Sequence, residues 1–465
     1  MMQLHNISGV YFIGIGGIGM SALARFFRQT GKEVAGYDKT ATRLTDELQA
    51  EGIDVTFADG VEMIPSQFLN RENTLVVYTP AVPADHPQLV WFQTHGFEVA
   101  KRARVLGIIS EGYSSICVAG THGKTTVTTL TAHLLKQSEL DCHAFLGGIA
   151  KNYQTNYLSS PFSRLVVLEA DEFDRSFLHL SPALAVITAT DADHLDIYGD
   201  QQTFADAFEA FAARIKPHGM LVAKKGTNLA LDRFSGQCHF SYSLDDDACD
   251  FYARDIRLQN GLYHFSIVTP EEVIDDLTLG VPGLLNVENA VAATALAVLA
   301  GALPHEIRKG LASFQGIRRR FDYWLRSDQV SLIDDYAHHP EEIRATASSV
   351  KALYPDKKIV AVFQPHLYSR THDFYNEFAA ALSIFDEVLL MDIYPAREQP
   401  IPGVTAQMIA DRVLCPAKVC QRHDLPAQII ASGAQVVITM GAGDIDKELP
   451  VLKAHLEQWM NEENC

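Results

Sequence analysis

The chain has 465 residues, 47% of them hydrophobic and 20% charged, a globular composition long enough for about three domains and neither disordered nor fibrous. Its formal net charge of −19 argues against a nucleic-acid or anionic-membrane surface, which needs clustered Lys and Arg, yet permits a local cationic pocket for a small phosphorylated substrate. Seven cysteines without a Cys-x-x-Cys pair, no visible secretory leader and an apolar helical stretch (Ala290 to Leu303) too short for a membrane span point to a soluble, cytoplasmic protein with reduced thiols.

Three α/β segments are expected, 1–108, 109–318 and 319–465: an N-terminal Rossmann-like unit, a central P-loop ATPase-like unit with a mostly parallel sheet, and a C-terminal Rossmann-like unit. The first opens with a strand, Val10 to Ile13, then Gly14-Ile15-Gly16-Gly17-Ile18-Gly19 and a helix carrying Leu23, Phe26 and Phe27, with Gly31 as its stop. A second strand, Glu33 to Tyr37, leads to Asp38, about twenty residues past the glycines, the form of a dinucleotide-binding fingerprint. The run Leu75 to Tyr78 continues the βαβ rhythm.

The second segment carries the strongest signal. A strand-like run, Ser115 to Val118, meets Ala119-Gly120-Thr121-His122-Gly123-Lys124-Thr125-Thr126, and a helix follows from Val127 to Lys136. Backbone N–H groups and a helix N-terminus can face nucleotide phosphates, with the lysine on the outer phosphates and the hydroxyl on Mg²⁺. The full pattern wants a glycine where Val118 stands, so this is a shortened version, and an ordinary strand-to-helix turn is the bland alternative. Strands at Leu165 to Glu169 and Ala183 to Thr188 follow. Glu169-Ala170-Asp171-Glu172 at the first strand's end is a candidate for holding Mg²⁺ shared with phosphates, or else a solvated acidic loop. Asp191 to Asp196, with His194 among the aspartates, lies after the second, but Mg²⁺ prefers oxygen, so His194 is weak as a ligand on chemistry alone. Helices are expected from Asn286 through Ala300 and from Pro304 to Phe314. The cationic run Arg318-Arg319-Arg320-Phe321-Asp322 could neutralise a transferring phosphoryl group or serve only as a linker.

In the third segment strands are expected at Ser331 to Ile333, Lys358 to Phe363, Glu387 to Met391 and Gln435 to Met440. Two strand ends place polar groups where α/β sites form, Asp334-Asp335-Tyr336-Ala337-His338-His339-Pro340 and Gln364-Pro365-His366-Leu367-Tyr368-Ser369-Arg370.

Taken in order, these motifs resemble the Mur ligase family of bacterial peptidoglycan synthesis. The likeness runs over nearly the whole chain and includes Tyr78-Thr79-Pro80-Ala81-Val82-Pro83, Ser176-Phe177-Leu178 and Gly283-Leu284-Leu285-Asn286-Val287-Glu288-Asn289. The resemblance implies an ATP-dependent amide ligase. ATP phosphorylates the lactyl carboxylate of UDP-N-acetylmuramate, and L-alanine attacks the acyl phosphate through a tetrahedral intermediate. It implies Lys124, His194 and Arg320 as catalytic residues, and Gly120 to Thr126, Asn286, Asn289, Arg320 and Asp335 at ATP. Thr125, Glu169 and His194 would hold Mg²⁺. Gly14, Gly16, Gly17, Gly19 and Asp38 would bind the UDP-sugar rather than a nicotinamide dinucleotide, and His338, His366 and Arg370 would face the amino acid. No nucleic-acid or membrane partner is implied. Many family members have arginine where this chain has Leu367, which makes amino-acid preference the least secure inference. A related recycling ligase that adds a whole tripeptide, a nicotinamide oxidoreductase and a non-catalytic nucleotide-binding regulator are the competing readings.

Overall fold

The computed structural model describes residues 4–191, 198, 201–227, 229, 237–396 and 398–463. The N-terminal sheet contains strands β1 (Gly9–Ile13), β2 (Glu33–Tyr37), β3 (Asp54–Thr56), β4 (Thr74–Tyr78) and β5 (Glu98–Lys101), in the order β3-β2-β1-β4-β5 and parallel throughout. Every residue of β1 is buried, which is why it reads as a continuous apolar run rather than an alternating one. Helices α1 (Ile18–Gln29), α2 (Arg43–Ala50), α3 (Pro87–Thr94) and α4 (Arg102–Gly112) accompany this sheet.

The central sheet comprises β6 (Ser114–Ala119), β7 (His143–Ala150), β8 (Thr155–Leu158), β9 (Leu165–Glu169), β10 (Leu184–Ile187), β11 (Met220–Lys224) and β12 (Cys238–Tyr242). Its order is β12-β11-β10-β6-β9-β7-β8, parallel except for the β7–β8 hairpin at one edge. Helix α5 (Lys124–Lys136) leaves β6, and α6 (Gln201–Ala212) precedes β11. A small sheet of β13 (Tyr252–Gln259), β14 (Leu262–Val268) and β15 (Val273–Thr278) follows, then α7 (Leu284–Leu299) and α8 (Pro304–Ser313).

The glycine-loop helix α1 is fastened to the hairpin of the central sheet. Phe26 lies 5.4 Å from Phe145 and 6.1 Å from Tyr157, ring centroid to ring centroid. A buried phenylalanine contributes about 2 kcal/mol through area alone. Polar groups fix the orientation, because the buried Asn156 amide donates to the Ile18 carbonyl at 2.5 Å and to Ser21 Oγ at 2.9 Å, while Arg25 bonds Asn156 and Glu51. Two loops from different sheets are therefore held in one compact unit, Met1–Ile256 with Phe265–Thr278 and Glu288–Phe314.

The second unit comprises Arg257–His264, Leu279–Val287 and Gln315–Cys465. Its main sheet contains β16 (Asp322–Arg326), β17 (Ser331–Asp335), β18 (Ile359–Phe363), β19 (Glu387–Leu390), β20 (Ala417–Val419) and β21 (Val436–Met440), ordered β16-β17-β21-β18-β19-β20. Only β16 runs antiparallel to its neighbour. Helices α9 (Pro340–Leu353) and α10 (Tyr368–Leu382) leave the carboxyl ends of β17 and β18. Among the described residues no helix is long and apolar enough to cross a membrane.

Candidate active site

The first loop follows β1. Gly14 turns at φ 87°, and its N–H and that of Ile15 donate to the Tyr37 carbonyl at 2.7 and 3.0 Å. Gly17 is the N-cap of α1, so the unpaired N–H groups of the first helical turn face outward as an anion site. Asp38 accepts the Gly16 N–H at 2.7 Å and the Thr40 N–H at 3.1 Å, so its carboxylate braces the loop itself.

The second loop follows β6, at the point where β10 and β9 flank it. Gly120 (φ 135°) and Gly123 (φ 80°) adopt backbone that a side chain would strain. The Thr121 N–H donates to the Ala189 carbonyl, and the Thr188 hydroxyl donates to the carbonyls of Ala119 and His122. Gly123 caps α5, and Lys124 begins it. Lys124 Nζ donates to Glu172 Oε1 at 2.8 Å and to the Gly120 carbonyl at 2.7 Å. Burial disfavours its charge, but Glu172 and Glu169 outweigh that and hold its pKa above the ordinary lysine value. A cation is thus fixed over the loop.

Parallel pairing sets Val118 against Glu169, which brings the end of β9 beside the start of α5. Thr125 Oγ1 donates to Glu169 Oε1 at 3.2 Å, and Thr126 follows it, partly exposed. A hydroxyl and a carboxylate oxygen suit a hard cation such as Mg²⁺, which takes its remaining ligands from phosphates and water. No three His, Cys, Asp or Glu side chains converge among the described residues, and His194 lies outside them. His122 Nε2 is 3.8 Å from Asp191. Asn289, on α7, packs at the second loop: a Cβ on Gly123 would lie 2.8 Å from its Oδ1.

At the first loop lies a cavity of about 330 Å³, lined by Gly17, Ile18 and Gly19 together with Arg102, Glu169 and Asp171. Arg102 and Asp171 form an ion pair at 3.5 Å. Sequence reasoning missed Arg102, whose surroundings Lys101-Arg102-Ala103-Arg104 read as an ordinary charged helix start, and it did not give Glu172 a role distinct from the acidic run.

In the second unit, alternation along β17 sends Asp334 and Asp335 to opposite faces. Asp335 accepts the N–H groups of Phe321 (2.9 Å) and Ala337 (2.8 Å). Burial raises its pKa while Arg320 opposes that. Asp334 is fully buried against Thr439 Oγ1 (2.7 Å) and Arg319 (3.6 Å), and burial pushes it up to about 7 against the pull of Arg319. Arg319 also donates to the Gly441 carbonyl at 2.7 Å, and the guanidinium groups of Arg319 and Arg320 lie 5.0 and 5.2 Å from the centre of the Tyr336 ring. His338 and His366, from separate strand ends, meet edge to face at 6.2 Å. Leu367 takes φ 72°, ψ 138°, a strained conformation for a leucine, and Arg370 stands in the first turn of α10. Asn286 Nδ2 donates to the Pro282 carbonyl at 2.6 Å. A cavity of about 530 Å³ opens beside Gln364, Tyr394, Arg422 and Asp444, and Tyr394 stacks on His366.

Comparison with known proteins matches residues 9–114 to the Mur ligase family catalytic domain, 118–297 to the Mur ligase middle domain and 319–443 to the Mur ligase glutamate ligase domain. A UDP-N-acetylmuramate–L-alanine ligase of Parabacteroides distasonis is 52% identical over 453 residues, 97% of this chain and 98% of that one. The enzyme of the same name from Porphyromonas gingivalis is 51% identical over 450 residues, covering 96% and 99%. The crystal structure of a UDP-N-acetylmuramate-alanine ligase from Thermotoga maritima superimposes with a TM-score of 0.81 at 27% identity, covering 98% and 99%. A murein peptide ligase from Psychrobacter arcticus shares the fold, with a TM-score of 0.68 at 21% identity over 97% and 98%.

Proposed function

The chain belongs to the Mur ligase family, and from that premise we propose that the cavity between Gly19 and Glu169 is where ATP activates a UDP-sugar carboxylate. The protein is an ATP-dependent ligase of peptidoglycan precursor synthesis that joins L-alanine to UDP-N-acetylmuramate. One observation carries the site assignment: a single cavity is bounded by the N-terminal turn of α1 and by the carboxylate beside Thr125.

The UDP-sugar diphosphate rests on Gly14, Gly16, Gly17 and Gly19, whose loop Asp38 braces. ATP lies on Gly120 to Thr126, with Asn286 and Asn289 at the nucleotide. Lys124 exchanges Glu172 for the outer phosphates. Thr125 and Glu169, with His194, would hold Mg²⁺, which would supply charge neutralisation at the phosphates. A carboxylate oxygen attacks the γ-phosphorus and ADP departs. Arg320, supported by Asp335, offsets charge on that group. The deprotonated amine of L-alanine, received at His338, His366 and Arg370, then attacks the acyl carbon. Collapse of the tetrahedral intermediate expels phosphate and leaves the amide. Segments 1–108, 109–318 and 319–465 thus divide the work among UDP-sugar, ATP and amino acid, in the cytoplasm where ATP is available.

Phosphate release measured with ATP, Mg²⁺ and UDP-N-acetylmuramate, adding L-alanine, glycine, L-serine or the tripeptide in turn, tests this. Release that requires the UDP-sugar and is strongest with L-alanine is expected. Release only with the tripeptide would assign the chain to recycling instead.

A further inference from the structure

The cavity assigned to this anionic substrate is lined, among the described residues, by two carboxylates and one cation. UDP-N-acetylmuramate brings a diphosphate and a carboxylate, yet Glu169 and Asp171 line the cavity with two more carboxylates. Like charges 4 Å apart repel by about 4 kcal/mol near a protein surface. Among the described lining residues Arg102 is the one cation.

Arg102 begins α4, and its side chain is three-quarters buried, at 24% exposure. The guanidinium lies between Gly19 and Asp171. A Cβ on Gly19 would lie 2.6 Å from Nη1, and Nη2 lies 3.5 Å from Asp171 Oδ2. That pair is longer than the roughly 2.8 Å of a strong charge-assisted bond. Arg102 makes no other ion pair among the described residues. A guanidinium has five donors in a planar fork that matches a carboxylate, so most of this fork is available.

We propose that Arg102 binds the acceptor carboxylate of the UDP-sugar, and that Asp171 holds the guanidinium in place until the substrate carboxylate replaces it. The proposal rests on the reading of this cavity as the UDP-sugar site. The backbone N–H groups at Gly17 to Gly19 already serve a diphosphate. Through Nη2 the guanidinium also reaches Asp171, two residues from Glu169 in sequence and with it in the cavity lining, where the carboxylate must meet the phosphoryl group. Pairing with arginine keeps that carboxylate ionised and points an oxygen at the phosphorus. Arg102 is accordingly a substrate-binding residue that distinguishes an acidic UDP-sugar from a neutral one.

Equilibrium binding of three probes tests it: UDP-N-acetylmuramate, UDP-N-acetylglucosamine, which has the diphosphate but no carboxylate, and UDP. Arg102→Gln is expected to weaken the first about thirtyfold, the scale of a hydrogen bond to a charged group, and to leave the other two within about twofold. Arg102→Lys, which keeps the charge and loses the fork, is expected to recover part of the loss and so serves if the glutamine variant does not fold. Asp171→Asn retains an acceptor for the Phe173 N–H (3.1 Å in the structure) and is expected to bind UDP-N-acetylmuramate as tightly or more tightly. Equal loss for all three probes would move the guanidinium to the diphosphate, and unchanged affinity in a folded Arg102 variant would remove it from the site. Either result overturns the proposal. A wild-type protein that binds none of the three would instead refute the underlying reading of the cavity.

Discussion

Two turns of this chain have the same plan and different equipment. After β1 and after β6 a buried parallel strand ends in glycines and a helix begins, each offering backbone N–H groups to an anion. The first turn has no cation in its loop, and its neighbouring carboxylate, Asp38, is spent on the Gly16 N–H. The second has Lys124 fixed between Glu172 and the Gly120 carbonyl, and Thr125 beside Glu169. A backbone cradle suffices to hold a diphosphate. Transferring a phosphoryl group also needs fixed charges where charge moves. The helices differ in degree: α1 buries Leu23, Phe26 and Phe27 with Ser21 and Arg25, whereas α5 buries Thr128, Thr129, Thr131 and His133 alongside Val127, Leu130, Leu134 and Leu135.

Lys124→Ala should separate the two turns most. Ligation is expected to fall about a thousandfold, as for loss of a charge-stabilising donor, while UDP-sugar affinity stays within about twofold; rapid-quench assays and calorimetry check the two halves. Glu169→Gln follows, with an expected loss of about a hundredfold and a Mg²⁺ requirement shifted to higher concentration, read from a metal titration of the initial rate.

Acid provides the third test. Burial drives the His133 imidazole down to about 4, with Tyr153 and Ser313 as its partners. The unfolded chain takes up a proton near 6.5 that the fold refuses, so stability falls as pH drops through 6.5 toward 4. By pH 5 the loss is about 2 kcal/mol relative to neutral pH. Hydrogen exchange at pH 7 and pH 5 is expected to loosen α5 more than α1, and His133→Gln to remove most of that difference. The smallest effect is on the first loop. A Cβ at Gly16 would lie 2.8 Å from Asp38 Oδ2, so Gly16→Ala is expected to weaken UDP binding about tenfold with KM for ATP unchanged.

Much of this was legible because it is local. Glu33 to Tyr37 and Leu165 to Glu169 were readable as strands from apolar runs bounded by glycine or charge, and they coincide with β2 and β9. The loops followed from their glycines: Gly14, Gly120 and Gly123 take positive φ, and a Cβ on Gly16 or Gly19 would collide with Asp38 or Arg102. What the sequence hid is set by the third dimension. The β7–β8 hairpin and the β13 to β15 sheet lack a strong period, and the expected strand at Ser331 to Ile333 extends through Asp335 because both carboxylates are buried inside it. Only folding brings Arg319 to the buried Asp334 and sets both Arg319 and Arg320 on the Tyr336 ring. Arg102 meets Asp171 across 69 residues of sequence, a distance no motif spans.

In the proposed mechanism the UDP-sugar carboxylate itself attacks the γ-phosphorus of ATP. UDP-N-acetylmuramate labelled with ¹⁸O in its lactyl carboxylate tests this most directly, by mass analysis of the phosphate released with L-alanine. One labelled oxygen per phosphate is the predicted result, because the departing phosphate keeps the oxygen that attacked. Phosphate free of label, with amide formed, would contradict the acyl phosphate and the role given to the cavity.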